Sequence, residues 1–357
     1  MHLSPTFTFA YCILARLASG AEWVQKAQFK DYSKSSIVLS MSSPIIAIGA
    51  PDNGENGIKS GEVCIYKKHA NEVIPMGKYL RGSSPGDNFG FSIALSGKDS
   101  KRVAIGAPGS SNRSAVGQDY TRRGRVFIYE YVESLKEWVG VGGAISGKDN
   151  GEEFGTSLAI SEDGNFIAIC NYANQPNNNS RPSAKVKMYV FNPSTNDWDR
   201  MGQHSIGLTN GRCSSVDVLI ASKKNASQQN YYVALGSSDF QKGNDFGLAR
   251  LHGYDHFRNE WRQIGEDFNC YIKTSGAGYS RPTFPWTDIS LAVLNDSIML
   301  AVGCPGTRSV IEGKVFMFRY DTTTTEMSSP ESFGDPIEYV QKDDLTGSRV
   351  RLSKDSK

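Results

Sequence analysis

Asp87-Asn-Phe-Gly-Phe-Ser-Ile-Ala-Leu-Ser96, Arg102-Val-Ala-Ile-Gly-Ala-Pro108, Gly124-Arg-Val-Phe-Ile-Tyr-Glu-Tyr131 and Glu137-Trp-Val-Gly-Val-Gly-Gly-Ala-Ile145 follow one another in this 357-residue chain. Each piece is short, rich in β-branched and aromatic residues, and bounded by Gly, Ser, Asp or Pro, which is how strands read. Four such strands in succession make one small antiparallel sheet. The second of them recurs as Ile-Ala-Ile-Gly49, Val-Ala-Ile-Gly106, Ile-Ala-Ile-Cys170, Val-Ala-Leu-Gly236 and Leu-Ala-Val-Gly303, at spacings that run from 57 to 67 residues. The fourth recurs as Trp-x-x-x-Gly: Trp138 with Gly142, Trp198 with Gly202, Trp261 with Gly265, and Val73 with Gly77 in the first unit. A lone four-stranded sheet cannot bury both faces, so a repeat of this size predicts an all-β fold, a β-propeller of four-stranded antiparallel blades.

Phe89-Gly90 followed by Gly106-Ala107-Pro108 resembles the FG-GAP repeat of the integrin alpha-subunit propeller, with Phe154-Gly155 and Gly49-Ala50-Pro51 as partial copies. The resemblance spans most of the chain after residue 20 and fades in the units around Ala234 and Ala301. It implies a propeller that binds protein or glycan ligands through loops on one face. Tyr189-Val-Phe-Asn-Pro-Ser-Thr-Asn-Asp-Trp198 also resembles the second half of a kelch blade, which is again a propeller.

Residues 1–20 read as a signal peptide and 21–357 as the propeller. Phe7 to Leu14 is a short apolar core and Ala18-Ser19-Gly20 offers small residues for cleavage, although no Lys or Arg precedes the core and Arg16 follows it. Glu22-Trp23-Val24 matches Glu137-Trp138-Val139, so the chain after the leader is expected to open on a fourth strand. Five full units follow, the last without a legible fourth strand. Arg349-Val-Arg-Leu-Ser353 resembles the first strand of a sixth, which suggests five blades and a partial, possibly truncated, sixth.

The 39 basic and 37 acidic residues leave a net charge of +2, too balanced to make nucleic acid the main partner. No apolar run reaches 18 residues, so no membrane-spanning segment is expected. Beyond Cys12, the cysteines are Cys64, Cys170, Cys213, Cys270 and Cys304, with no Cys-x-x-Cys pair. Buried thiols on strands are the expectation, and in an oxidising compartment Cys213 and Cys270 are candidates for one bridge. Four Asn-x-Ser sequons, at Asn112, Asn178, Asn225 and Asn295, predict N-glycosylation in a eukaryotic source.

No cofactor or metal site is expected. Integrin-type hairpins hold calcium with an Asp/Asn ladder, but here Ser96 to Arg102, Ser161 to Asn165 and Leu294 to Ser297 are short and poor in carboxylates. Asp52-Asn-Gly-Glu-Asn-Gly57 reads as turn chemistry. His252 and His256 are four apart, but on a strand they lie about 13 Å from each other, too far to share an ion. Gly82-Ser-Ser-Pro-Gly86 fits the nucleophile-elbow string without the strand and helix that string needs. Ser161-Glu-Asp-Gly resembles the Asp-box turn of sialidases but lacks the later Gly and Trp. Function is therefore expected to be binding, extracellular and non-enzymatic. The alternative is a glycoside hydrolase or polysaccharide lyase with its site at the channel mouth.

Overall fold

The Phe-Gly and Gly-Ala pieces recur together because they touch. In the computed structural model, Gly90 adopts φ 87° and Gly155 φ 94°, both in the left-handed region that favours glycine. A Cβ placed on Gly90 would meet Glu62 O and Val63 Cγ2 at 2.9 Å and Gly49 Cα at 3.1 Å. One placed on Gly155 would meet Gly106 Cα at 3.3 Å. The Phe-Gly turn of each unit thus seats on the Gly-Ala stretch of the unit before it. Phe89 and Phe154 are driven inward at 1% and 0% exposure.

The structure describes residues 10–12, 27–29, 36–39, 45–69, 72–97, 101–110, 122–173, 183–208, 211–222, 229–239, 246–270, 287–294, 297–305, 313–321, 331–338 and 348–352. A two-stranded sheet comes first, β1 (Ala10–Cys12) with β2 (Ala27–Phe29). Blade one is β3 (Ser36–Leu39), β4 (Ile45–Ala50), β5 (Glu62–His69) and β6 (Glu72–Pro75), with β7 (Leu80–Arg81) also on β5. Blade two is β8 (Ser92–Leu95), β9 (Arg102–Ala107), β10 (Arg125–Val132) and β11 (Glu137–Gly140), with β12 (Ile145–Ser146) on β10. Blade three runs β13 (Ser157–Ile160), β14 (Phe166–Ala173), β15 (Ser183–Asn192) and β16 (Asp197–Leu208). Blade four is β17 (Gly211–Ser222), β18 (Gln229–Asp239), β19 (Phe246–Asp255) and β20 (Glu260–Cys270). Blade five is β21 (Asp288–Leu294), β22 (Ser297–Cys304), β23 (Lys314–Asp321) and β24 (Glu331–Ser332), with β25 (Ile337–Glu338) on β23.

Every blade is an antiparallel meander, and the first strands β3, β8, β13, β17 and β21 lie side by side in that order. That arrangement is a β-propeller. A hydrophobic cluster fills each of the four junctions between consecutive blades. Strand two reads as an unbroken apolar run because it faces two junctions: Val103 and Ile105 pack toward blade one, Ala104 toward blade three.

The Trp-x-x-x-Gly signal is also a contact between units. Trp138 Nε1 donates to Met76 O at 2.7 Å, Trp198 to Val141 O at 3.0 Å and Trp261 to Met201 O at 3.1 Å. Each accepting carbonyl precedes the glycine of the previous blade. Those glycines adopt positive φ and make the bulge after which the fourth strand rejoins the third.

The sequence reading needs correcting in places. The fifth unit does have a fourth strand, β24, with Gly334 (φ 77°) at the bulge position. Pro330 stands where units two to four carry Trp, which hid it. The cysteines are mostly bridged, and Cys213 pairs with Cys170, not Cys270, which pairs with Cys304. Their Cα atoms are 6.2 Å and 5.7 Å apart, within bridging reach because the partners sit on facing strands of adjacent blades. Cys64 is buried, with its Sγ 3.7 Å from Glu62 Oε1. Ala10–Cys12, inside the stretch read as a leader, pairs with Ala27–Phe29. The offset that sets Trp23 on Trp138 sets Cys12 on Phe127 and Ala27 on Gly142, so this pairing has the register of strands three and four. Trp23 itself lies outside the described residues. No described helix is long and apolar enough to cross a membrane.

Candidate functional site: the loop-bearing end

An antiparallel meander sends two connections to each end of a blade. Those between strands two and three, and from strand four to the next blade, share one end. The longest connections are here, and residues 111–121, 174–182, 240–245, 271–286 and 306–312 of them lie outside the described residues. Asn112, Asn178 and Asn225 are among the undescribed residues, as is Asn295 in the β21–β22 hairpin. The loop roots are described.

Between blades one and two the root is built on Glu62, 4% exposed, whose carboxylate accepts from Arg81 Nε at 2.6 Å and from Asn53 Nδ2 at 3.4 Å. Asn56 Nδ2 donates to Gly82 O at 2.8 Å, and Asn88 Nδ2 to Pro51 O at 3.3 Å. Asp87, also buried, accepts from Ser84 N at 2.9 Å and from Ser83 Oγ at 3.3 Å. The oxygens of residues 52–57 are spent largely on such turns: Glu55 N donates to Asn53 Oδ1, and Ser60 Oγ to Asn53 O. Ser84 therefore sits in a capped turn, with no helix after it.

Between blades two and three the place of Asp87 is held by Glu152, 2% exposed. It accepts from Lys148 N at 2.6 Å, Asp149 N at 3.1 Å and Asn171 Nδ2 at 2.8 Å, and it pairs with Lys187. Lys187 Nζ also lies 5.3 Å from the centre of the Phe154 ring. Burial pushes the Glu152 carboxyl up, but Lys187 and the two backbone amides outweigh it and hold it below the usual carboxylate range. Sequence reasoning missed this pair. Its signal is a lysine on strand three where the units before it carry Cys64 and Phe127.

Glu62, Asp87 and Glu152 are thus committed to holding loops, whereas general acid–base chemistry needs a carboxyl aimed at open space. Among the described residues no group of three His, Cys, Asp or Glu side chains could hold a metal ion. His252 is buried on β19, and His256 lies beyond that strand, in the turn to β20. Among the described residues, apolar side chains left in water on the loop-bearing end include Ile58, 81% exposed, and Phe91, 48% exposed.

No protein-family profile matches the chain, and no curated protein is similar to it in sequence. Among solved structures, a Trypanosoma rangeli sialidase in complex with sialic acid is 11% identical with a TM-score of 0.44, over 96% of this chain and 58% of that one. A fucose-specific lectin from Aleuria aurantia is 12% identical (TM-score 0.41, covering 87% and 84%). A GH43 endo-arabinanase from Bacillus licheniformis is 12% identical (TM-score 0.32, covering 83% and 96%). The chain spans less than two thirds of the sialidase's length. Such likenesses bear on fold alone, and the propeller stands on the chain's own five sheets and their packing.

Proposed function

We propose that this chain is an exported propeller of the FG-GAP type that works as an interaction module, holding a protein or glycan ligand with the loops of one end. The observation that carries this is the construction of the loop roots. Buried carboxylates whose bonds are spent on anchoring, as at Glu152, make a rigid base for variable loops, which is where binding residues concentrate. Two interblade disulfides fit an oxidising, extracellular setting, and the four sequons fit the same export route. Ile58 and Phe91 are the apolar contacts this reading assigns to the ligand. The test is a protein and glycan array probed with purified secreted chain, repeated with Ile58→Asp and Phe91→Asp. Ligands retained by the parent and lost by both variants support the reading. Time-dependent release of new reducing ends from a polysaccharide would instead make the chain a hydrolase and overturn it.

A further inference from the structure

The opposite end of the propeller carries a recess of about 410 Å³, within the size range of small-ligand sites. Blade two supplies Arg102 at the start of β9. Blade three supplies Asp163 and Asn165 from the β13–β14 hairpin, and Val190, Phe191 and Pro193 where β15 turns toward β16. Blade four supplies Ile220, Gln229 and Tyr231. The recess exists because three blades converge here.

The polar side chains are held in place. Arg102 Nη1 donates to Asn165 Oδ1 at 2.7 Å and to Gly164 O at 3.1 Å, while its guanidinium lies 4.5 Å from the centre of the Phe191 ring. Asp163 closes its own hairpin by accepting from Asn165 N at 3.0 Å and from the Ser161 hydroxyl. Tyr231 stands edge-on to Phe166 with ring centres 5.1 Å apart, and its hydroxyl donates to Gln229 Oε1 at 2.9 Å. Gln229 is itself exposed, and His256 Nε2 bonds its main-chain oxygen at 2.8 Å.

We propose that this recess is a second binding site, separate from the loop-bearing end, for an uncharged short saccharide. Half-buried Tyr231, with exposed Pro193, offers flat apolar surface to the C–H face of a sugar ring, while Phe191 lies behind them with Arg102 over its ring. Side-chain amides and a carboxylate oxygen at the rim suit hydroxyls, which both donate and accept. Charge selects within the class. Arg102 is already balanced by Glu130, whose Oε2 lies 2.8 Å from Nε, whereas the partners of Asp163 are neutral donors. Among the lining residues the carboxylate of Asp163 is thus the charge that faces only neutral donors, and it disfavours sialylated, uronic or sulfated sugars.

The test is saturation-transfer difference NMR on the purified chain with cellobiose, lactose and neutral methyl glycosides, against glucuronic acid and N-acetylneuraminic acid. Neutral sugars should bind in the millimolar range and the acids should not. Gln229→Ala, on an exposed side chain that leaves the fold intact, should weaken neutral-sugar binding about tenfold, and Tyr231→Ala should weaken it further. Asp163→Asn keeps an acceptor for the hairpin and should admit the acidic sugars. Ile337→Asp, on an exposed residue of blade five assigned to neither site, should change nothing. No transfer to any neutral sugar, acids bound as well as neutral sugars by the parent, or binding untouched by Gln229→Ala would each overturn the proposal. A protein or peptide captured at this end in place of sugar would overturn it too.

Discussion

Gly142 and Trp198 show how single residues set the geometry of the ring. Gly142 adopts φ 71°, and a Cβ there would come within 2.9 Å of Trp198 Cδ1. Gly142→Ala should therefore cost about 1–3 kcal/mol in backbone strain, with the clash in addition. Trp198→Phe keeps most of the packing and removes the bond to Val141 O, so it should cost about 1 kcal/mol. Urea midpoints of the two variants check both values, and equal losses would mean that the glycine matters only as space for the indole. His252 makes a different kind of test. Burial first, then Arg250, pushes its imidazole down to about 3 against the opposing pull of Asp267, and Nδ1 is buried without a hydrogen-bond partner. Below its ordinary value of 6.5 the unfolded chain takes up a proton that the folded chain refuses. Stability should thus fall by about 1.4 kcal/mol per pH unit from there down to about pH 3. His252→Leu should remove that slope. Glu152 acts lower on the scale. Its folded carboxyl sits below the ordinary 4.5, so the stability it contributes is present above that value and lost as pH falls through the depressed one. Denaturation series from pH 7 to 3 separate the two groups: a His252→Leu curve still parallel to the parent between pH 6.5 and 4.5 would contradict the buried-imidazole account, and Glu152→Gln should change only the part below.

Among elements, strand two and strand four were legible because each is fixed by a contact that every unit must make. The apolar run of strand two faces two junctions, and the Trp-x-x-x-Gly strand reaches across to its neighbour. Where the contact changes, legibility goes with it: Pro330 replaces the tryptophan and blade five's fourth strand could not be read, although Gly334 keeps the bulge. The disulfides were illegible for a related reason. Cys170 on β14 meets Cys213 on β17, and Cys270 on β20 meets Cys304 on β22, so each pair depends on how one blade lies against the next, which linear spacing does not encode. The loop root and the recess share this property. Glu152 with Lys187, and Arg102 with Tyr231, bring together residues from different blades, and the one signal in the chain, a lysine at Lys187 where earlier units carry Cys64 and Phe127, was missed. The staples carry a testable consequence. They close separations of 43 and 34 residues, and each should contribute roughly 2–4 kcal/mol. Non-reducing peptide mapping should recover the 170–213 and 270–304 linked peptides. Cys170→Ser with Cys213→Ser should lower the melting temperature while preserving the fold. A mapped 213–270 peptide would show that blades three to five are joined differently.

For the molecule as a whole, the open question is how blade five meets blade one. Among the described residues four junctions are filled by apolar clusters, and the faces that blades one and five turn to the fifth junction are also dry. Ile46, Ile48 and Cys64 alternate with the residues of blade one that face blade two, and Met299 and Ala301 with those of blade five that face blade four. None of the five is more than 3% exposed. On blade five, the segment from Arg349 to Leu352 lies along β21. Val350 N donates to Asp288 Oδ2 at 2.8 Å, Arg351 Nη1 to the same oxygen at 3.0 Å, and Leu352 N to Ser290 Oγ at 3.1 Å. Asp288 also accepts from Ser215 Oγ at 2.6 Å, so one buried carboxylate ties blade four, blade five and this segment together. Asp217 of blade four makes the same kind of bond one junction earlier, accepting from Leu291 N at 2.7 Å. Arg349 to Leu352 therefore occupies the place of a next first strand, as its sequence suggested, though without strand pairing of its own. If this segment seals the face of blade five, Val350→Asp, which buries an unpaired charge, should lower the melting temperature by several degrees. Removing residues 349–357 should do the same, expose blade five to limited proteolysis and drive self-association through the uncovered face. Light scattering and a protease time course on the shortened chain decide the matter. A monomer that melts with the parent and is cut no faster would mean that this segment rests on the ring without closing it.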